Sequence, residues 1–434
     1  VKDTITVGLL GLGTVGSGVV KIIEKHQKKL QHQIGCPVKV GKVLVRDLAK
    51  KRDVNFDEAQ LTDRVEDIIE NDDIDVVIEV MGGVEQTRQW LLTALKNKKH
   101  IVTANKDLMA VYGPELLKVA ADNGCDLYYE ASVAGGIPII RTLVDGLSSD
   151  RITKMMGIVN GTTNFILTKM TKESASYDAV LKEAQDLGYA EADPTSDVEG
   201  LDAARKMAIL ARLGFSMSID LDDVDVCGIS NVTLEDIQYS HKLGYTMKLI
   251  GMAEETNGKV AVSVQPTLLP HNHPLASVND EYNAVYVYGK AVGETMFYGP
   301  GAGQLPTATS IVSDLVTVLK NMRLGVSGKG YVFEQFEKNL KSPEEIRSKY
   351  FLRLQVKDQS GVLAQITSVF AEYKASLEKI LQLPCKDRGE GLAELIIVTH
   401  HTNKKDYDTI VKQLQKLDVV DTVVSSYRVE GEEK

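Results

Sequence analysis

The stretch Gly11-Leu12-Gly13-Thr14-Val15-Gly16 constrains this chain more than any other six residues. It fits the pattern Gly-x-Gly-x-x-Gly, it ends an apolar run at 4–10 and it opens a helical pattern at 15–29. In that setting each glycine has its own task. Gly11 permits the tight turn after a strand, Gly13 lets a pyrophosphate reach the backbone, and Gly16 lets the helix lie close to the strand. Free N–H groups at the helix start, around Thr14 and Val15, would then face phosphate oxygens. The motif alone is weak, but strand before and helix after are the context it requires. Gly11, Gly13, Thr14, Val15 and Gly16 are therefore the first candidates for binding a dinucleotide.

The rest of residues 1–150 repeats the alternation. Runs at 38–45, 74–80, 100–103 and 126–130 are rich in Val and Ile and mostly apolar throughout, as strands buried on both faces are. Segments 86–96 and 114–123 have helical spacing. This order specifies an α/β fold with an N-terminal, Rossmann-like, doubly wound parallel sheet. Residues 151–330 break the pattern. A strand is expected at 152–160, helices at 162–171, 177–187 and 198–213, and strands at 260–266, 284–288 and 295–298. That order describes an α+β domain with an antiparallel or mixed sheet, with a helix at 307–322, inside 305–330, packing back to complete the first domain. Residues 331–349 are charged and read as a linker, with a helix start at Ser342-Pro343-Glu344-Glu345. Residues 350–434 run strand, helix, strand, strand, helix, strand (350–356, 362–373, 377–383, 392–400, 405–416, 420–428). This is the βαββαβ order of a small ferredoxin-like domain.

Charge and cysteine use narrow the partners. Lys plus Arg is 50 against 60 Asp plus Glu, a net charge of −10, which speaks against a nucleic-acid partner. Cys36, Cys125, Cys227 and Cys385 lie far apart with no Cys-x-x-Cys pair, as reduced thiols in a cytoplasmic protein would. His271 and His273 flank Asn272 before Pro274 and read as a loop. No apolar run is long enough to span a membrane. The first apolar stretch, after Lys2 and Asp3, is broken by glycines and is no signal peptide.

Cofactor choice turns on the end of the second strand, Val45-Arg46-Asp47. Asp47 lies further along than the usual ribose-binding acid, Arg46 precedes it, and Lys50, Lys51 and Arg52 follow. A cation beside the ribose favours a 2′-phosphate, so NADP is expected, with NAD as the alternative.

The segment 184–206, AQDLGYAEADPTSDVEGLDAARK, carries the densest chemistry. Gly188 and Pro194 bend the chain between two helices, and Glu191, Asp193 and Asp197 crowd the bend. Asp197 is read as the N-cap of the following helix. Asp202 and Lys206 lie one helical turn apart and share a face. A surface salt bridge is the ordinary explanation of such a pair. Here the helix is apolar around it (Ala203, Ala204, Met207, Ala208), which makes Lys206 a candidate proton donor. A second lysine, Lys106, follows the strand at 100–103, at the carboxyl edge where such sheets bind ligands. Asn160-Gly161-Thr162-Thr163-Asn164 ends another strand. Its amides and hydroxyls could fix a polar substrate or the nicotinamide amide, or equally cap a helix.

Residues 188–194 with Asp197, Gly200, Asp202 and Lys206 resemble the homoserine dehydrogenase signature. The resemblance extends to GLGTVG at 11–16, TANK at 103–106, EASVAGGIPII at 130–140, NGTTN at 160–164 and GPGAG at 299–303, covering residues 1–330. It implies reversible reduction of L-aspartate 4-semialdehyde to L-homoserine, a step toward threonine, methionine and isoleucine. By the same resemblance Lys206 and Lys106 form the acid/base pair, while Glu191, Asp202, Asp197, Asn160 and Thr162 bind substrate. Lys106, Gly188 and Gly303 join Arg46 and the glycine loop at the cofactor. Glu130 with the main chain of Val133, Gly135 and Ile137 would bind a monovalent cation, sodium. The family associates through its middle domain, so a homo-oligomer, dimer or tetramer, is expected. With no kinase region ahead of the glycine loop, the monofunctional form is expected. An aspartate semialdehyde dehydrogenase would need an acylated cysteine, and none of the four stands in a nucleophile's setting. A non-catalytic sensor would not need the paired lysines and carboxylates. The C-terminal segment resembles an ACT domain, on its element order and on Asp358-Gln359-Ser360-Gly361-Val362-Leu363. This implies threonine as a feedback effector near Asp358, Gly361 and Val362. The alternative is a dimerisation module that binds nothing.

Overall fold

The computed structural model describes residues 4–52, 54, 57–331, 333–384 and 391–431. Cys385, Lys2 and Asp3 lie outside the described residues. The chain divides into two compact units. One falls within Val1–Met155, Arg205–Asp223 and Asn283–Lys338, the other within Met156–Ala204, Val224–Tyr282 and Asn339–Lys434. Residues 151–330 are thus shared between the units.

In the first unit, six described strands form a parallel sheet: β1 (Ile5–Leu10), β2 (Val38–Leu44), β3 (Leu61–Thr62), β4 (Val76–Glu79), β5 (His100–Thr103) and β6 (Leu127–Tyr128). Their order is β3-β2-β1-β4-β5-β6, the doubly wound arrangement whose direction reverses between β1 and β4. The pattern follows from the residues. Ile5, Val7 and Leu9 point to one face and pack with Val19, Val20 and Ile23 of the helix Thr14–Lys25. On the opposite face Gly8 leaves just the room that Ile68 takes, for a Cβ there would stand 2.5 Å from Ile68 Cγ2. Ala308, Ile311, Leu315, Val318 and Leu319 of the helix Gln304–Leu324 enter the same core. Each such aliphatic side chain removed from water contributes about 1.5–3 kcal/mol, which fixes this late helix on the early sheet.

The expected helix at 114–123 starts eight residues earlier, at Lys106, and Pro114 sits inside it. Proline removes the N–H that would bond the carbonyl four residues back. That carbonyl, of Ala110, accepts instead from the Arg212 guanidinium at 3.1 Å. A side chain from elsewhere in the chain repairs the gap, which no local pattern announces.

In the second unit a mixed sheet runs in the order Tyr245–Thr256, Lys259–Pro270, Val420–Val429, Arg347–Lys357, Leu392–Thr399, Leu377–Pro384. The last four are the strands of the βαββαβ segment. Val362, Ile366, Val369 and Phe370, spaced as one helix face, pack on Leu352, Leu354, Val356, Leu395 and Ile397. Strand Val420–Val429 pairs in parallel with Lys259–Pro270 through Thr267–Arg428 and Leu268–Val429. The expected helix start at 342–345 is a turn instead, in which Glu345 accepts from the Ser342 N–H at 2.9 Å. Two residues on, the chain enters the strand Arg347–Lys357, so the turn's bonds feed a strand. No helix among the described residues is long and apolar enough to cross a membrane.

Candidate active site

The glycine loop has the geometry its sequence requires. Gly11 has φ +104°, and a Cβ there would meet the Val80 carbonyl at 3.1 Å. A Cβ on Gly16 would stand 2.2 Å from the Gly11 carbonyl oxygen, so the helix can follow the strand this closely only with glycine. Gly13 has nothing within 4 Å of that position, which leaves its backbone open to a ligand. The loop borders a cleft of about 1140 Å³ lined also by Arg46, Lys50, Arg52, Arg64 and Trp90. Arg46 is exposed on its wall. Asp47 lines the same cleft and accepts from the Ala49 N–H of its own loop at 2.9 Å. Arg52 donates to the Lys50 carbonyl at 2.7 Å and to that of Asp47. The cleft's size, its open glycine backbone and its cations fit a phosphorylated dinucleotide.

Beside it lies a smaller cavity of about 230 Å³ with Val15, Glu79, Asn105, Lys106 and Thr307 on its wall. Asn105 is the N-cap of the helix Lys106–Asp122, accepting from the Leu108 N–H at 3.1 Å. Lys106 is thereby placed at the first position of that helix. Lys206 stands on the helix Leu201–Phe215. The two helices are tied beside the two lysines: Arg205 pairs with Asp107 at 2.9 Å. A second tie comes from Arg212, which donates to the carbonyls of Met109 and Ala110 at 3.3 and 3.1 Å. Both lysines are half-buried. Sequence reading missed Arg205 and Arg212, because their partners lie about a hundred residues away in the chain.

In the second unit Asn160 organises the acidic bend. Its side-chain carbonyl accepts from the Thr163 N–H at 2.9 Å, so it caps the helix Gly161–Glu173. Its amide nitrogen donates to Asp197 at 2.7 Å and to Asp202 at 2.8 Å. The amide thus serves the protein, joining three of the expected substrate residues. The reading of Asp197 as N-cap of the long helix is corrected. Asp197 lies in the short helix Thr195–Val198, and Gly200 at φ +80° breaks the chain before the long helix begins at Leu201. Thr162 donates its hydroxyl to the Tyr189 carbonyl at 2.6 Å and so steadies the bend that holds Gly188 and Glu191. Glu191 is exposed, and Gly188 turns the chain at φ +79°. Beneath this layer Lys248 is buried in the sheet. Burial pushes its pKa down to about 8, and it donates to the Val278 carbonyl at 2.6 Å and to Asn164 at 3.1 Å.

The proposed cation residues form a tight loop in the first unit. Glu130 is buried, and its two oxygens accept from the N–H groups of Ile140 and Arg141, each at 2.8 Å. Burial raises its pKa, and those bonds oppose the rise. Asp314 accepts from the Glu130 N–H and pairs with Arg141, each at 2.8 Å. Burial pushes the Asp314 pKa up to about 7. Val133 and Ile137 are buried, and the Gly135 carbonyl accepts from Ser310 at 2.7 Å. The Ile137 carbonyl accepts from the Ile139 N–H at 2.8 Å, so the carboxylate faces N–H groups while two of the expected carbonyl ligands already accept other bonds. Gly303 caps the helix Gln304–Leu324. In the C-terminal segment Asp358 is exposed, and Gly361, at φ +88°, precedes the helix Val362–Glu372.

Comparison with known proteins gives the class first. Residues 11–130 match the model of the homoserine dehydrogenase NAD-binding domain, and residues 350–419 match the ACT domain. With the Rossmann-like sheet and its glycine-edged cleft, this defines a dinucleotide-dependent oxidoreductase acting on a CH–OH group. Residues 138–316 match the homoserine dehydrogenase model itself. The homoserine dehydrogenase of Bacillus subtilis is 69% identical over 427 residues, 98% of each chain. The crystal structure of a homoserine dehydrogenase from Thiobacillus denitrificans superposes with a TM-score of 0.91 at 38% identity over 98% of both chains. A hyperthermophilic archaeal homoserine dehydrogenase in complex with NADPH matches 73% of this chain and 97% of its own, at 25% identity and a TM-score of 0.61. The chain belongs to the homoserine dehydrogenase family.

Proposed function

We propose that this chain interconverts L-aspartate 4-semialdehyde and L-homoserine, with NADP as the preferred hydride carrier. The observation that carries the reading is the Arg205–Asp107 tie, which fixes the helix of Lys206 to the start of the helix of Lys106. When bound, the nicotinamide exchanges a hydride with the carbon of the aldehyde or alcohol. The chain's own residues supply charge and orientation. An ammonium group, Lys206 with Lys106 as its partner, protonates the oxygen on which charge develops. Asp202 and Asp197, held by Asn160, and the exposed Glu191 offer carboxylates for the substrate ammonium. Glu130 with the carbonyls of Val133, Gly135 and Ile137 would hold the sodium ion. The family reading carries with it a homo-oligomer and a cytoplasmic setting, and among the described residues Cys36, Cys125 and Cys227 are free thiols. Coupled oxidation of L-homoserine with NADP tests the whole reading. No turnover with that pair would end it.

The cofactor preference rests on Arg46, Lys50 and Arg52 at the cleft wall. Arg46→Ala should raise the NADP KM by roughly tenfold, the loss expected of one charged contact to a phosphate, and leave the NAD KM nearly unchanged. An equal change for both cofactors would remove the 2′-phosphate from the account.

Threonine is proposed as effector of the C-terminal domain, where Gly361 exposes a helix start beside Asp358. Added to the full chain, threonine should lower turnover, and Asp358→Ala should blunt that response. Turnover indifferent to threonine would leave the domain a structural module.

A further inference from the structure

The last residue of β4 is a carboxylate that the glycine loop and the lysines do not explain. Glu79 is completely buried. One of its oxygens accepts from the backbone N–H groups of Met81 at 2.9 Å and Gly82 at 3.0 Å. The other accepts from the Thr103 hydroxyl at 2.6 Å. Thr103 ends β5, and its hydroxyl oxygen accepts from the Asn105 N–H at 3.0 Å. Asn105 caps the Lys106 helix and donates to the Gly83 carbonyl at 2.7 Å. These bonds close a ring from Glu79 through 81–83 to Asn105, Thr103 and back.

The ring has a physical purpose. A buried carboxylate is costly unless its oxygens are satisfied, and here three donors satisfy it. The loop it holds has little stiffness of its own: Gly82 and Gly83 both lie in the left-handed region, at φ +73° and +78°. Yet Met81, Gly82 and Gly83 form one wall of the dinucleotide cleft, and Glu79, Gly82, Asn105 and Lys106 share the neighbouring cavity. The same anchor therefore grips a cofactor-facing loop on one side and the start of the lysine helix on the other.

We propose that Glu79 is a positioning residue for the dehydrogenase reaction, locking loop 81–83 and the start of the Lys106 helix into one rigid unit. The inference rests on the reading that the cleft holds the dinucleotide and Lys106 serves proton transfer. Two variants probe the ring. Thr103→Val cuts one of the two links to the helix and leaves the Asn105–Gly83 bond and both loop anchors. Glu79→Gln keeps an acceptor for the Met81 and Gly82 amides and turns its NH2 toward the Thr103 hydroxyl, so the ring stays tied with that bond reversed and the charge removed.

Steady-state kinetics, the NADPH Kd from its own fluorescence, and amide hydrogen exchange are measured on each. Thr103→Val is expected to lower kcat about tenfold or more with the NADPH Kd near that of the parent, and to speed exchange at 105–108. Glu79→Gln, which keeps the ring tied, should lower kcat less than Thr103→Val, whereas Glu79→Ala should lower it at least as much, raise the NADPH Kd and speed exchange at Met81 and Gly82. The double variant Glu79→Ala/Thr103→Val should be no slower than the worse single one, because both cut the same ring. Parent-like kcat in both Thr103→Val and Glu79→Ala overturns the proposal, as do multiplicative losses in that double variant. A parent chain that binds NADPH but does not oxidise homoserine overturns the functional reading instead, and the exchange data still decide whether the ring is rigid.

Discussion

Replacing Lys206 by alanine should cut kcat by roughly 10²–10⁴-fold, the usual contribution of a positioned acid or base, and leave NADPH affinity within about twofold. The argument starts from how the lysine is held. Its helix, Leu201–Phe215, is fixed on either side of it. Arg205 pairs with Asp107 at 2.9 Å, and Arg212 donates to the Ile219 carbonyl at 2.8 Å as well as to Met109 and Ala110. None of these bonds uses the Lys206 side chain, so they persist when it is truncated. The helix also carries Asp202 one turn earlier, bonded to Asn160 at 2.8 Å, so this carboxylate, proposed for substrate, keeps its anchor. The dinucleotide cleft is built from residues 11–90 and should not sense the change. Loss of turnover with normal NADPH binding is therefore the expected signature. Near-normal turnover would transfer the proton to Lys106.

Much of the fold was legible because local rules and tertiary packing agree. The strands of the first unit are apolar throughout and the glycine loop meets its required context. The βαββαβ segment, with Val362, Ile366 and Phe370 on one helix face, reads correctly from spacing alone. The failures have specific physical causes. The strand Tyr245–Thr256 went unrecognised because Lys248 interrupts its apolar run. The structure buries that lysine by giving it the Val278 carbonyl and Asn164. The helix was expected only from Pro114 onward, because the repair that lets it run through the proline comes from Arg212, 102 residues away. The site shows the same division. The residues proposed to act directly, Lys106, Lys206, Asp202 and the glycine loop, stand in motifs. Those that act by holding others, Glu79, Arg205 and Arg212, are defined by partners distant in sequence. One signal was available: a glutamate ending an otherwise apolar strand, as Glu79 does, calls for a buried partner.

The largest stability effect is expected at Arg353, in the second unit. Its guanidinium bonds Glu394 at 2.8 Å and Asp236 at 3.1 Å, with all three side chains buried. Burial opposes its charge, but the bonds to Glu394 and Asp236 outweigh that and hold the pKa above its ordinary value. Asp236 also accepts from Ser425 at 2.7 Å and from the Tyr427 hydroxyl at 2.8 Å. The cluster holds one cation and two carboxylates, and that count decides which substitution hurts more. Asp236→Asn leaves Arg353 with Glu394, a balanced pair, and should cost about 1–3 kcal/mol. Arg353→Met leaves two buried carboxylates with no cation and should cost about 3–5 kcal/mol. The single tryptophan, Trp90, belongs to the first unit, so its fluorescence would miss the change. Hydrogen exchange along the strand Arg347–Lys357 would register it directly. Arg353 lies within the ACT-matching residues 350–419, while Asp236 lies on the helix Leu234–Lys242 outside them. The pair therefore links the ACT domain to the rest of its unit, and Arg353→Met should weaken any threonine response along with stability. Parent-like exchange at 347–357 in that variant would show that the two carboxylates find other partners and that the connection does not depend on the arginine.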